Sequence, residues 1–201
     1  MVNKSIRCII LAAGKGTRMN SQVPKILHEI FGLKMINYVI NLSKSIHSDK
    51  TVIVLGYKNN VVKDAISKEK IEFVIQKELL GSGDAVNESK DEFADFDGDV
   101  VVLYGDTPLI RPETLTGLIK THQDSKNVCT ILTTFLKDPT GYGRIVRNSD
   151  GKVVKIVEEV DASIFDKTIE EINAGVYCFK SKELFKALGL VQNKNKKNEY
   201  F

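Results

Sequence analysis

Several things are scarce in this 201-residue chain, and each scarcity closes off a class of protein. Cysteine occurs only at Cys8, Cys129 and Cys178, an odd and widely spaced set. That pattern builds no disulfide framework and fits a reducing cytosol, so a cytoplasmic location is expected. Neither sign of charge dominates: 29 Lys and Arg stand against 26 Asp and Glu, for a net charge of +3. The lysines are scattered rather than striped, which argues against a nucleic-acid partner. The local run Lys194, Lys196 and Lys197 reads as solvated surface. No apolar run approaches the ~18–20 residues of a membrane span. The first one, Cys8 to Ala13, also lacks the h-region length and cleavage site of a signal peptide. His28, His47 and His122 lie far apart with no cysteine partner, so no metal or catalytic role is assigned to them. A Gly-x-Ser-x-Gly elbow is missing, and with it any case for a serine hydrolase. Internal repeats and low-complexity linkers are missing too.

The chain does have enough apolar residues, 42%, for a core without disulfides or metals, and its length favours one domain. Continuous runs at Ile6–Leu11, Thr51–Leu55, Ile71–Ile75 and Val100–Tyr104 read as strands buried on both faces. Between them Leu33–Ile46, Lys58–Glu69 and Asp84–Phe93 carry mixed three- and four-residue apolar spacing, and Pro112 opens a further helix. That alternation predicts an α/β fold, a doubly wound and mostly parallel sheet. Beyond about residue 110 the chain turns β-rich, with strands expected at Cys129–Phe135, Gly143–Arg147, Val153–Glu158 and Ile172–Phe179. This second half is expected to share the same sheet. All three cysteines fall inside apolar strands and are expected in the core.

The chemistry collects at strand ends. Leu11-Ala12-Ala13-Gly14-Lys15-Gly16-Thr17-Arg18-Met19 leaves the first strand with four small residues that let the backbone touch a flat base or a phosphate. A P-loop is excluded by the glycine spacing. A dinucleotide fingerprint is excluded by Met19 in place of its third glycine and by the absence of an acid after Leu55. Arg18 and Lys25, the latter stiffened by Pro24, flank the loop as two cations suited to a triphosphate and a departing pyrophosphate. Taken singly, each reads better as a surface cation, and their position after a glycine loop at a strand's carboxyl end weakens that reading. Asp106 closes the strand ending at Tyr104 and projects from the same sheet edge, where a carboxylate near phosphates can ligate Mg²⁺ or simply cap a turn. Gln76 and Gly81-Ser82-Gly83 follow the strand ending at Ile75, and a glutamine amide can match a pyrimidine edge. Three loops thus converge on one edge.

The nonapeptide from Leu11 to Met19, with Pro24-Lys25, resembles the signature of the sugar-1-phosphate nucleotidylyltransferases. Further segments narrow the likeness: Leu80-Gly81-Ser82-Gly83, Leu103 to Leu109, Asp138 to Ile145, Val157-Glu158 and Glu171 to Gly175. Together they resemble the N-terminal uridylyltransferase domain of the bacterial bifunctional N-acetylglucosamine-1-phosphate uridylyltransferase/glucosamine-1-phosphate acetyltransferases. The resemblance implies a Rossmann-like nucleotide-diphospho-sugar transferase fold with a β-rich sugar-binding lobe. It also implies a Mg²⁺-dependent reaction: UTP plus N-acetylglucosamine 1-phosphate gives UDP-N-acetylglucosamine, a cell-wall precursor, and pyrophosphate.

By the same resemblance Leu11, Ala12, Ala13, Gly14, Gln76 and Gly81 would hold the uridine, Ser82 would belong to the substrate-binding set, and Arg18 and Lys25 would act on the phosphates. Tyr104, Gly105, Gly143, Glu158 and Asn173 would line the ribose and amino sugar, and Asp106 would hold Mg²⁺. Ser82 stands where the family usually has Thr, and Asp84 where His is common. Asn198-Glu199-Tyr200-Phe201 resembles the start of a segment that continues in the family. Residues 1–201 are therefore expected to form one nucleotidylyltransferase domain truncated at its C-terminus, with a nucleotide half to about 110 and a sugar half beyond. The family's second metal ligand and its β-helix acetyltransferase would be missing. Such a fragment is expected to be monomeric, and the full-length family protein a homotrimer. Another sugar or base, or a non-catalytic nucleotide-sugar-binding module, are the alternatives.

Overall fold

A computed structural model describes residues 5–67, 69 and 71–201, with the side chain of Arg18 outside the described set. Its centre is β1 (Ile6–Ala12), which alternates Cys8, Ile10 and Ala12 toward one face and Ile9 and Leu11 toward the other. Both faces are covered, so neither set can be polar, and the strand reads as a continuous apolar run. A short hairpin follows, β2 (Glu29–Ile30) and β3 (Leu33–Lys34). Its tip residues Phe31 and Gly32 both have positive φ, 50° and 77°, as a two-residue turn of the I′ type requires. Then come α1 (Met35–Ser45), β4 (Lys50–Leu55), α2 (Asn59–Ala65), β5 (Glu72–Ile75), α3 (Ser82–Glu88) and β6 (Asp99–Tyr104).

The strand order β5-β4-β1-β6 is parallel throughout, with Ile9 opposite Val52 on one side and Val102 on the other. The chain winds outward from β1 through β4 to β5, then crosses back to lay β6 on the opposite flank. The boundary between β1 and β6 is therefore the topological switch point, where a crevice opens beyond the carboxyl ends.

After α4 (Pro112–Asp124) the sheet continues in antiparallel fashion through β7 (Cys129–Phe135), β8 (Arg144–Arg147), β9 (Val153–Val157) and β10 (Glu171–Lys180). The register of β10 shifts between Asn173 and Tyr177. Its second half pairs with β6 through Tyr177 and Val102, and its first half pairs with β8 through Ile172 and Arg144. The β-rich half thus extends the parallel sheet, as expected. The chain then enters α5 (Ser181–Leu188) without a loop.

Two apolar layers sandwich the sheet. Ile36, Val39 and Ile40 of α1, Val62 of α2, and Leu115, Leu118 and Ile119 of α4 pack with Ile10 and Leu103 on one face. On the other, Ala85 and Val86 of α3 and Leu184 of α5 join Phe93 and Phe96 over Ile9 and Val102. Cys8 and Cys178 are buried in this core, but Cys129 is exposed. It opens β7, which among the described residues pairs only with β10. No described helix is long and apolar enough to cross a membrane.

Candidate active site

The loop after β1 is held close to its neighbours by backbone bonds. Gly105 N donates to Leu11 O at 2.8 Å, and Tyr57 N donates to Ala13 O at 3.0 Å, so the ends of β6 and β4 are tied to the small-residue segment. Gly16 lies in the left-handed region at φ 61°, and a Cβ there would sit 2.6 Å from the Lys25 Cβ. Only glycine lets the lysine stem pass this closely. Lys25 opens a 3-10 turn, Lys25–Leu27, behind Pro24, with Ile26 and Leu27 buried as its anchors. Arg18 belongs by its backbone to the turn Thr17–Met19, but its side chain lies outside the described residues.

These elements open onto a cleft of about 840 Å³. Of the residues expected from the sequence, Leu11, Ala12, Ala13, Gly14, Lys25, Gln76, Gly81, Ser82, Tyr104 and Asp106 line it. Lys25 Nζ lies 2.6 Å from Asp106 Oδ2, with both side chains about one-third exposed. The residue expected to meet phosphates and the residue expected to hold a metal therefore face one another across the switch point. Gln76 is buried at the end of β5, its backbone N–H bonded to Leu55 O at 2.8 Å. Its Nε2 donates to Gly81 O at 3.1 Å and to Asp84 Oδ2 at 2.7 Å. Gly81 adopts φ 114° and ψ 176°, and Glu199 and Tyr200 lie against it. Tyr200 N donates to Leu80 O at 2.7 Å and Gly83 N to Tyr200 O at 2.8 Å, which brings Glu199 to the cleft wall.

Gly143, Glu158 and Asn173 form a second cluster, outside that wall. Asn173 N donates to Gly143 O at 2.9 Å, and a Cβ on Gly143 would lie 3.0 Å from Glu158 Oε1. Buried Arg144 fixes this corner by pairing with Glu159 at 2.8 Å. Asn173 spends its amide inside the fold, donating to Tyr177 Oη at 2.6 Å and accepting from Gly175 N at 3.0 Å. Tyr104 joins the two clusters: it lines the cleft, hydrogen-bonds Ser82 and feels the charge of Glu158. Burial raises its hydroxyl pKa above the usual phenol value. Burial likewise raises the Glu158 carboxyl, against the opposing pull of Lys197. Gly105 is buried beneath the switch point, where its added Cβ would meet Ile36 at 2.9 Å.

The sequence reading missed Tyr57, Lys77 and Glu199 on the wall, and the bond from Gln76 to Asp84. Tyr57 was findable, since it follows Leu55-Gly56 at a strand's carboxyl end. Glu199 was not, because it arrives from the far end of the chain. Among the described residues no group of three or more His, Cys, Asp or Glu side chains could hold a metal. Buried His122 of α4 instead bonds Thr130 Oγ1 at 3.0 Å and lies 3.5 Å from Asp99.

A doubly wound sheet with a small-residue loop, a buried amide and a lysine–aspartate pair at its switch point defines an α/β protein whose candidate ligand cleft lies beyond the carboxyl ends of its strands. The chain belongs to the nucleotidyl transferase family, whose pattern it matches over residues 7–201. Among curated relatives, it is 48% identical over 193 residues to the bifunctional protein GlmU of Streptococcus uberis, covering 96% of this chain and 42% of that protein. Against the bifunctional protein GlmU of Clostridioides difficile it is 47% identical over 197 residues, 98% of this chain and 42% of that protein. The chain thus spans less than half the length of these relatives. Among solved structures, UDP-glucose pyrophosphorylase complexed with UDP-glucose superposes with a TM-score of 0.78 at 20% identity, covering 97% of this chain and 82% of that one. A glucose-1-phosphate thymidylyltransferase assignment from Bacillus anthracis, in complex with a sucrose, gives 0.74 at 19% identity over 90% and 73%. These two likenesses establish the fold.

Proposed function

We propose that this chain transfers a uridylyl group from UTP to N-acetylglucosamine 1-phosphate, giving UDP-N-acetylglucosamine and pyrophosphate. The observation that carries the reading is the convergence of three strand ends, bringing the Leu11–Gly14 loop, Gln76 with Gly81, and Lys25 with Asp106 into one cleft. The identity to GlmU proteins supports the choice of nucleotide and sugar.

In this reading Leu11, Ala12, Ala13, Gly14, Gln76 and Gly81 hold the uridine, with Ser82 beside them in the substrate-binding set. Tyr104, Gly105, Gly143, Glu158 and Asn173 form the ribose and amino-sugar side. A phosphate oxygen of the sugar phosphate attacks the α-phosphorus in line. The new P–O bond forms as the α–β bridging bond breaks, and pyrophosphate leaves with the electron pair. The work is positioning and charge neutralisation rather than covalent catalysis. Lys25 and Arg18 are the cations assigned to the phosphates, and Lys25 exchanges its Asp106 partner for them.

Asp106 suits Mg²⁺, a small hard cation that takes one or two carboxylates and fills its other positions with phosphate oxygens and water. A single carboxylate beside a phosphate-sized loop meets that need, and bound Mg²⁺ would neutralise charge on the triphosphate. The triphosphate substrate and the free cysteines fit a cytoplasmic location. The test is pyrophosphate release from UTP with N-acetylglucosamine 1-phosphate, with and without Mg²⁺, beside dTTP, CTP and glucose 1-phosphate. Faster turnover of any other pair would overturn the substrate assignment, and binding without turnover would favour a silent module.

A further inference from the structure

Among the described residues Gln76 has the only side-chain amide lining the cleft, and an amide read alone is ambiguous: it offers a donor at one end and an acceptor at the other. Here the ambiguity is removed by its surroundings. Both neighbours at one end, the Gly81 carbonyl at 3.1 Å and the Asp84 carboxylate at 2.7 Å, can only accept, so Nε2 must face them. A flipped amide would set Oε1 against two acceptors, one of them charged. Oε1 accepts from no described side chain or backbone N–H and is not among the buried polar atoms sealed without a partner. Gln76 itself is 3% exposed, so water competes poorly for it.

We infer that Asp84 is a positioning residue that locks the Gln76 amide with its acceptor toward the base, making the site select a ring that presents an N–H. This inference rests on the uridylyl reading and deepens it. Uracil offers N3–H between two carbonyls and satisfies Oε1. Opposite N3, cytosine offers a bare ring nitrogen and sets one acceptor against another, its amino donor lying on the neighbouring C4. Two facts make the lock specific to the side chain at position 84. The carboxylate bond is the shorter and the charge-assisted one of the two that hold the amide. Asp84 also lies in the first turn of α3, whose buried Ala85 and Val86 fix its place. The Gly81 carbonyl alone leaves one Nε2 hydrogen unbound and holds the amide by one bond instead of two.

The experiment compares the wild-type chain with Asp84→Ala and Asp84→Asn. Titration calorimetry with UTP and with CTP gives the preference, and the side-chain amide resonances of Gln76 in the free protein report the lock directly. Wild type should prefer UTP by about 10–100-fold, the scale set by one mispaired buried polar contact. Asp84→Ala should shrink that ratio about 5–10-fold, mainly by weakening UTP, and should bring the two Nε2 proton shifts closer together. Asp84→Asn, whose Oδ1 can still accept, should recover most of the preference and the wild-type resonances. An unchanged ratio and unchanged resonances in Asp84→Ala would overturn the inference, as would equal loss in both variants. Binding of neither nucleotide by wild type would instead overturn the uridylyl reading, while the amide resonances would still decide whether Asp84 sets the lock.

Discussion

Replacing Gly81 by alanine tests the wall of the cleft where the fold leaves least room. The backbone at Gly81, φ 114° and ψ 176°, lies in a region that is essentially reserved for glycine. An added Cβ would stand 2.4 Å from Tyr200 O and 2.8 Å from Tyr200 N, backbone atoms that cannot swing aside as a flexible side chain would. Two responses compete. The loop can keep its conformation and carry strain of about 1–3 kcal/mol. Alternatively, the segment carrying Tyr200 can lift away, losing the 2.7 Å and 2.8 Å bonds to Leu80 and Gly83. At ~0.5–1.5 kcal/mol for each hydrogen bond, release costs about 1–3 kcal/mol and relieves only the clash, not the strained φ. The variant should therefore lose about 2–4 kcal/mol in urea denaturation and show faster amide exchange at Gly83 and Tyr200. An unchanged midpoint together with unchanged exchange at those two amides would refute the reasoning.

Gly14→Ala is the matched counterpart: a Cβ there meets no atom within 4 Å, so stability should stay within ~0.5 kcal/mol while nucleotide affinity falls, read by titration with UTP. Unaltered affinity would remove Gly14 from the nucleotide site. Glu171 accepts two bonds from Arg147, at 2.7 and 2.6 Å, and these hold its carboxyl below the usual glutamate range despite the opposing effect of burial. Stability from a depressed carboxyl is present above its unfolded pKa, near ~4.3, and is lost as pH falls through the lower folded value. Glu171→Gln should thus cost about 1–2 kcal/mol at pH 7, discounted because Arg147 is 40% exposed, and the gap should close below about pH 4 in parallel denaturation curves. A gap that persists in acid would assign the loss to packing.

The parallel core was legible because burial on both faces leaves an unmistakable trace: Ile9 and Ile10 must both be apolar when each face of β1 meets a helix layer. Elements that escaped the reading leave weaker traces. α5 begins directly after β10 with no turn residue to mark the change, and only Leu184, Phe185 and Leu188 record its inner face. The two-residue strands β2 and β3 are too short for any alternation, and Phe31 at their tip is fully exposed, the reverse of what its apolar character suggests. Lys58–Glu69 shrank to a helix ending at Ala65, where Ile66 leaves helical geometry at φ −126°. Cys129 looked like its two counterparts because sequence shows that a residue is in a strand but not that the strand lacks a neighbour on one side.

The candidate site divides along the same line. Gly14, Gln76 and Asp106 could be placed together from sequence because each follows a parallel strand, and in such a sheet all carboxyl ends lie on one edge. What sequence could not supply is which partner each polar atom takes. Asp106 meets Lys25 across 81 positions of chain, and Asp84 reaches back to Gln76 from the next helix. Those pairings decide the chemistry more than the residue types do. A lone aspartate after a strand can cap a turn or meet a cationic group, and Asp106 meets the Lys25 ammonium at 2.6 Å. A lone glutamine amide offers a donor and an acceptor alike, and a carboxylate 2.7 Å from its nitrogen fixes which end faces the carboxylate. Residue identity sets the range of chemistry available at a strand end, and the contacts made after folding reduce that range to a single hydrogen-bond polarity.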